Sequence, residues 1–192
     1  VYDVTETAGA ESLIHSIEKE TGPVSILVNN AGHVWKGPAE KTPTFEFENL
    51  FDTHVSGPFA LCQAVIPGMK KRGKGHLLFT ASMAALFGLP GVVGYAAAKS
   101  ALLGVVRSLA VELSPEGIRV NAVAPGWIIS ELLLKTVEAD PERKRKVLSR
   151  TPMGRFGTAE EVGWATVYLC SPAASFVTGV CFPVDGGISI GF

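Results

Sequence analysis

Two neighbouring segments decide the fold: His76-Leu-Leu-Phe-Thr-Ala-Ser82, and then Val92-Val-Gly-Tyr-Ala-Ala-Ala-Lys-Ser-Ala-Leu-Leu-Gly-Val-Val-Arg-Ser-Leu-Ala-Val-Glu-Leu113. The first holds a short apolar run, His76 to Thr80, of the kind expected for a strand buried on both faces. The second is too long for a strand and carries apolar residues at helical spacing. Ala98, Leu102, Val106 and Leu109 fall on one face and Ala96, Leu103, Gly104 and Val111 on another, so this helix is expected to have two partners, the sheet and a second subunit.

Working outward, the same alternation recurs. Ser25 to Asn29, Ile118 to Ala124 and Val180 to Val184 read as further buried strands. Helical patterns cover Ala8 to Glu20, Phe45 to Lys71, Glu131 to Val137, Pro141 to Ser149 and Ala159 to Leu169, the last introduced by Thr158 with Glu161 three residues on, a capping box. Strands alternating with helices predict an α/β fold: a doubly wound, Rossmann-like parallel sheet covered on both faces. A single domain spanning 1–192 is expected. The stretch 130–157 breaks the alternation and is expected to form a lid over the substrate.

Composition narrows the partners. The 17 basic and 18 acidic residues leave a formal net charge of -1, which supplies no footprint for nucleic acid or an anionic membrane. Apolar residues make up 47% of the chain, but no apolar stretch approaches the ~20 residues of a membrane span. Cys62, Cys170 and Cys181 are widely spaced, with no Cys-x-x-Cys pair. They read as small buried hydrophobes in a reducing, cytoplasmic setting, with no metal site expected. The expected partner is a small molecule.

The chemistry concentrates at strand ends. Tyr95 and Lys99 stand four residues apart and share a helix face. A phenol, with an ordinary pKa of ~10, exchanges protons poorly near neutrality, and an adjacent ammonium is expected to lower it. Ser82 follows the strand His76 to Thr80, at a carboxyl end where doubly wound sheets bind ligands. Taken alone, a serine there is a turn residue, and Asn29-Asn30-Ala31-Gly32 after the strand Ser25 to Asn29 is a simple turn as readily as a ligand approach. No Gly-x-Ser-x-Gly elbow supports a serine hydrolase.

In order and spacing, Asn29-Asn30-Ala31-Gly32, Ser82, Tyr95-x-x-x-Lys99, Pro125-Gly126 and Val184-Asp185-Gly186-Gly187 resemble the classical short-chain dehydrogenase/reductase family. The likeness runs over essentially the whole chain, with 3-oxoacyl reductases and gluconate 5-dehydrogenases among the members it suggests. It implies an oxidoreductase that transfers hydride between NAD or NADP and a ketone or secondary alcohol, with a 3-oxoacyl or general carbonyl substrate. A sugar acid or polyol is the alternative.

The resemblance also implies roles. Tyr95 is the catalytic acid or base, Ser82 orients the reacting oxygen, and Lys99 tunes Tyr95 and binds the nicotinamide ribose. Asp3 and Val4 lie beside the adenine, Asn30 with Ala31 and Gly32 near the adenosine ribose, and Pro125, Gly126, Ile128 and Ser130 around the nicotinamide. Ser130 stands where the family commonly has Thr. A homotetramer built through the helix Val92 to Leu113 is implied as well.

Two departures matter. His54, in Thr53-His54-Val55-Ser56-Gly57, takes the place of an Asn that, in the family, positions a relay water largely through a locally distorted helix, which Gly57 and Pro58 also favour here. It is expected either to hold that water, with a pH dependence near neutrality, or to fill space. The family's first strand, Gly-rich turn and helix, which grip the pyrophosphate, have no counterpart before Asp3, so the N-terminus is expected to be incomplete. A catalytically silent subunit serving assembly is therefore the competing reading of another class. The wall of the substrate pocket is expected to draw on Met83, Leu86, Phe87, Trp127 and Leu132 to Leu134.

Overall fold

Helices join each strand to the next and return the chain to the same end of the sheet, so every strand runs in the same direction. The computed structural model describes residues 1–130, 133–134 and 139–191. The strands are β1 (Ile26–Asn29), β2 (Gly75–Thr80), β3 (Ile118–Pro125) and β4 (Cys181–Val184), hydrogen-bonded in the order β1-β2-β3-β4. All three pairings are parallel, with Asn29 opposite Phe79, Thr80 opposite Val123, and Pro125 opposite Val184.

The helices are α1 (Ala10–Thr21), α2 (Thr44–Phe51), α3 (Gly57–Arg72), α4 (Val93–Leu113), α5 (Pro141–Ser149) and α6 (Ala159–Cys170). Because side chains alternate along a strand, Leu77 and Phe79 face α3 and α4, whereas Leu78 faces α6 together with Val123 and Leu169. Helices on both faces confirm the doubly wound architecture. On α4, Ala98, Leu102, Val106 and Leu109 are buried as expected, while Val111 on the second face is 80% exposed.

The expected helix Phe45 to Lys71 is interrupted. Between α2 and α3 the residues Asp52–Ser56 form a π-helical turn, a local widening that often marks functional positions. Gly57 closes this turn because the backbone of Val4 packs against it; a Cβ there would collide with the Val4 carbonyl. The N-terminal segment is thereby anchored beside the site. Thr158 and Glu161 form the expected capping box. The expected helix Glu131 to Val137 lies outside the described residues, apart from Leu133 and Leu134.

The base of the segment 130–157 is stitched. Ile128 and Gly157 form a parallel bridge, with Ile129 N–H donating to the Gly157 carbonyl at 2.8 Å and Gly157 N–H to the Trp127 carbonyl at 2.9 Å.

Candidate active site

The carboxyl ends of β1 and β2 bring together residues far apart in sequence. Ser82 caps a single turn after β2, its Oγ accepting from the Ala84 N–H at 3.1 Å, and is 8% exposed. The Tyr95 phenol neighbours Ser82. Lys99, one turn further along α4, is 4% exposed and donates to the Thr80 carbonyl at 2.5 Å, with its Nζ 5.6 Å from the Tyr95 ring centre.

This placement corrects one expectation. Burial raises the Tyr95 phenol above its ordinary value, and the opposing pull comes from Ser82. The Lys99 ammonium is drawn to the Thr80 carbonyl, while its own desolvation lowers it to about 8. Helical spacing placed the two groups on one face, but the strand carbonyl set where the ammonium points.

His54 sits in the π-helical turn, 2% exposed. Its Nε2 bonds the His33 carbonyl at 2.8 Å, its ring stacks on His33 at 5.8 Å and meets Tyr95 edge-on at 5.3 Å. Burial, then the Lys99 charge, pushes it down to about 4, which overturns the expected titration near neutrality. In the unfolded chain an imidazole titrates at ~6.5. The native state therefore binds fewer protons between that value and about 4. The corresponding stability is fully present above pH ~6.5 and is lost as pH falls through about 4, a loss of at most ~3 kcal/mol. Melting curves of the wild type and His54→Gln, recorded from neutrality down to pH ~4.5, should converge or cross as pH falls. Curves that stay parallel would exclude the linkage.

The remaining positions gather along the same edge. Asn29 is buried, its amide donating weakly toward the Cys62 sulfur at 3.6 Å, and burial pushes the Cys62 thiol up to about 12. Asn30 Oδ1 accepts from the Thr80 hydroxyl at 2.9 Å. Asp3 Oδ1 accepts from the Thr5 N–H and hydroxyl, bonds that hold its carboxyl below the usual range. A Cβ on Gly126 would lie 2.7 Å from Asp185 Cα, so the turn after β3 needs glycine to pass the end of β4. Ser130 Oγ accepts from the Leu133 N–H at 3.1 Å. Thr80 and His33, both working through their carbonyls, were invisible in the sequence because a main-chain acceptor leaves no trace in residue type.

A cleft of about 530 Å³ opens at the carboxyl ends of β3 and β4, walled by Trp127, Ile128, Met153, Arg155, Val184 and Asp185 among others. It adjoins Pro125 and Gly126 but does not include Ser82, Tyr95 or Lys99 in its walls. Of the expected pocket residues, Met83 is buried at 5% and belongs to the packing, Leu86 and Leu134 are exposed, and Leu132 lies outside the described residues.

Residues 1–189 match a family model described as enoyl-(acyl carrier protein) reductase. The chain belongs to the short-chain dehydrogenase/reductase family. One relative, an inactive 2-(S)-hydroxypropyl-CoM dehydrogenase 2 of Xanthobacter autotrophicus, is 37% identical over 97% of this chain and 83% of its own length. The 3-oxoacyl-[acyl-carrier-protein] reductase of Salmonella typhimurium is 36% identical over 98% of this chain and 76% of its own. The crystal structure of a gluconate 5-dehydrogenase from Burkholderia cenocepacia, in complex with NADP and tartrate, superposes with a TM-score of 0.95 at 31% identity, covering all of this chain and 75% of that one. This short-chain dehydrogenase/reductase shares their parallel sheet and flanking helices. None of its described helices is long and apolar enough to cross a membrane.

Proposed function

We propose that this oxidoreductase moves hydride between NAD or NADP and a ketone or secondary alcohol, with Ser82, Tyr95 and Lys99 as its catalytic residues. The observation that carries the reading is the half-buried phenol of Tyr95 beside the buried Ser82 at the end of β2, one turn from the buried ammonium of Lys99.

The residues present suit a nicotinamide cofactor. An ammonium carries three donors, and among the described hydrogen bonds Lys99 spends one on the Thr80 carbonyl, leaving donors for ribose hydroxyls. Asp3 and Val4 would flank the adenine, Asn30, Ala31 and Gly32 the adenosine ribose, and Tyr95, Lys99, Pro125, Gly126, Ile128 and Ser130 the nicotinamide half. When bound, the reduced nicotinamide supplies the hydride that reaches the carbonyl carbon. Ser82 holds the carbonyl oxygen, and Tyr95 delivers its phenolic proton to that oxygen as negative charge develops. In the oxidative direction Tyr95 takes the alcohol proton back. Lys99, one turn along α4, would hold the nicotinamide ribose beside that phenolate. His54 belongs to the same cluster.

The segment 130–157 acts as a lid on one domain, and the substrate is a 3-oxoacyl or general carbonyl compound, in keeping with the exposed apolar Leu86 in the turn that follows Ser82. A sugar acid or polyol is the second reading, favoured by the gluconate 5-dehydrogenase with its bound tartrate. We place the enzyme in the cytoplasm as a homotetramer. Its contacts would use the outer face of α4 at Val111 and the apolar surface of α6 at Trp164 and Val167, 64% and 55% exposed.

Titration with NADH and with NADPH, followed by nicotinamide fluorescence and then by oxidation on adding a 3-oxoacyl thioester or a keto sugar acid, tests the proposal. Saturable binding and turnover of one class are expected. Binding of neither cofactor would favour a catalytically silent subunit, a reading to which the relative named inactive lends weight.

A further inference from the structure

His54 has one hydrogen-bonding commitment and one vacancy. Nε2 faces the His33 carbonyl oxygen at 2.8 Å. A carbonyl oxygen only accepts, so Nε2 carries the hydrogen. In a neutral ring Nδ1 is then a bare lone pair, and it is buried with no partner among the described residues. The ring also occupies the space that a side chain at position 32 would need. A Cβ on Gly32 would strike Cε1 and stand 3.1 Å from Nδ1. His33 stacks on one side of the ring and Tyr95 abuts it edge-on.

A proton passing through an imidazole enters at one nitrogen and leaves at the other. Here the exit is closed, because an amide carbonyl takes a hydrogen bond from Nε2 but is far too weak a base to take its proton. We infer that His54 is a positioning residue, fixed as the Nε2–H tautomer: it clamps the Gly32–His33 turn beside Tyr95 and Lys99, offers Nδ1 to an O–H donor within the site, and does not itself relay protons.

This inference rests on the reading of Tyr95 and Lys99 as the proton-transfer pair. The charged and titratable groups facing the ring are His33 from the loop after β1, and Tyr95 and Lys99 from α4. Asp52 in its own turn is exposed. Burial and the Lys99 cation both disfavour imidazolium, so the clamp stays neutral throughout the range in which an enzyme of this kind works.

The direct test is nitrogen-15 NMR of the protein labelled at histidine, with His54 assigned by loss of its signals in His54→Gln. A protonated Nε2 and bare Nδ1, unchanged from about pH 5 to about pH 8, are expected. The opposite tautomer, or a titration within that range, would overturn the inference. Kinetics supply the second arm. Glutamine keeps a donor and an acceptor, so His54→Gln should hold kcat within about fivefold and leave the pH profile unmoved. Phenylalanine keeps only the ring, and His54→Phe should raise the cofactor KM about tenfold, the equivalent of one lost hydrogen bond. A displaced acid limb in His54→Gln would mean a relay and refute the clamp. Because the NMR signature needs no turnover, it answers even for a chain inactive on ketones, which separates its failure from failure of the proposed function.

Discussion

Tyr95→Phe is expected to lower kcat by about 10²- to 10⁴-fold, the range a positioned general acid or base contributes, while cofactor affinity stays near that of the wild type. The substitution removes one oxygen from a side chain whose ring is already packed against His54, so little of the architecture has reason to move. The hydroxyl beside Ser82 is lost, and with it the proton that must reach the carbonyl oxygen as hydride arrives. Because that proton transfer belongs to the transition state, the loss should fall on kcat and kcat/KM alike. Steady-state kinetics paired with cofactor fluorescence would check this. Turnover retained within tenfold would remove Tyr95 from the mechanism. An equal collapse of cofactor binding would point to a structural role.

The second large effect concerns the strand that presents Ser82. Phe79 is 1% exposed on β2, within the cluster formed by Cys62, Val106 and Ala122. Phe79→Ala should cost about 3–5 kcal/mol, from lost transfer energy and the cavity left behind. That is a large share of the 5–15 kcal/mol typical of native proteins, and the midpoint of thermal unfolding should fall by on the order of 10 °C. Calorimetry of the variant decides it. A shift smaller than about 2 °C would mean that the surrounding helices close over the gap, and that the core is softer than its burial indicates.

Much of this architecture was legible in the residues. Strands buried on both faces are recognisable as short apolar runs, and each of the four was placed to within about a residue of its observed ends. The first face of α4 and the capping box at Thr158 also followed from spacing. What escaped the sequence depends on contacts between distant segments. A local distortion of the helix at Gly57 and Pro58 is expected from the resemblance, and the π-helical turn at Asp52–Ser56 is that distortion; the contact of Val4 with Gly57 is what no helical periodicity announces. Met83 appeared to be pocket wall from its place after Ser82, yet it turns into the core. The mutual effect of Tyr95 and Lys99 was misjudged for a related reason. A shared helix face specifies proximity, whereas the direction of an ammonium is chosen by whichever acceptor it can reach, here a carbonyl on β2.

The stitched base of the segment 130–157 has an evolutionary consequence. Ile128 and Gly157 are tied to each other through main-chain bonds, the Met153 N–H donates to the Gly186 carbonyl, and Ile128 Cδ1 leaves no room for a Cβ at Gly157, so the base of this segment is held from several sides. The exposed residues of α5, such as Arg143 and Lys144, are free to diverge without disturbing the strands beneath, whereas the buried Val147 and Thr151 are not. On the proposed reading of this segment as a lid, substrate range can change at that outer surface while Ser82, Tyr95 and Lys99 remain where they are.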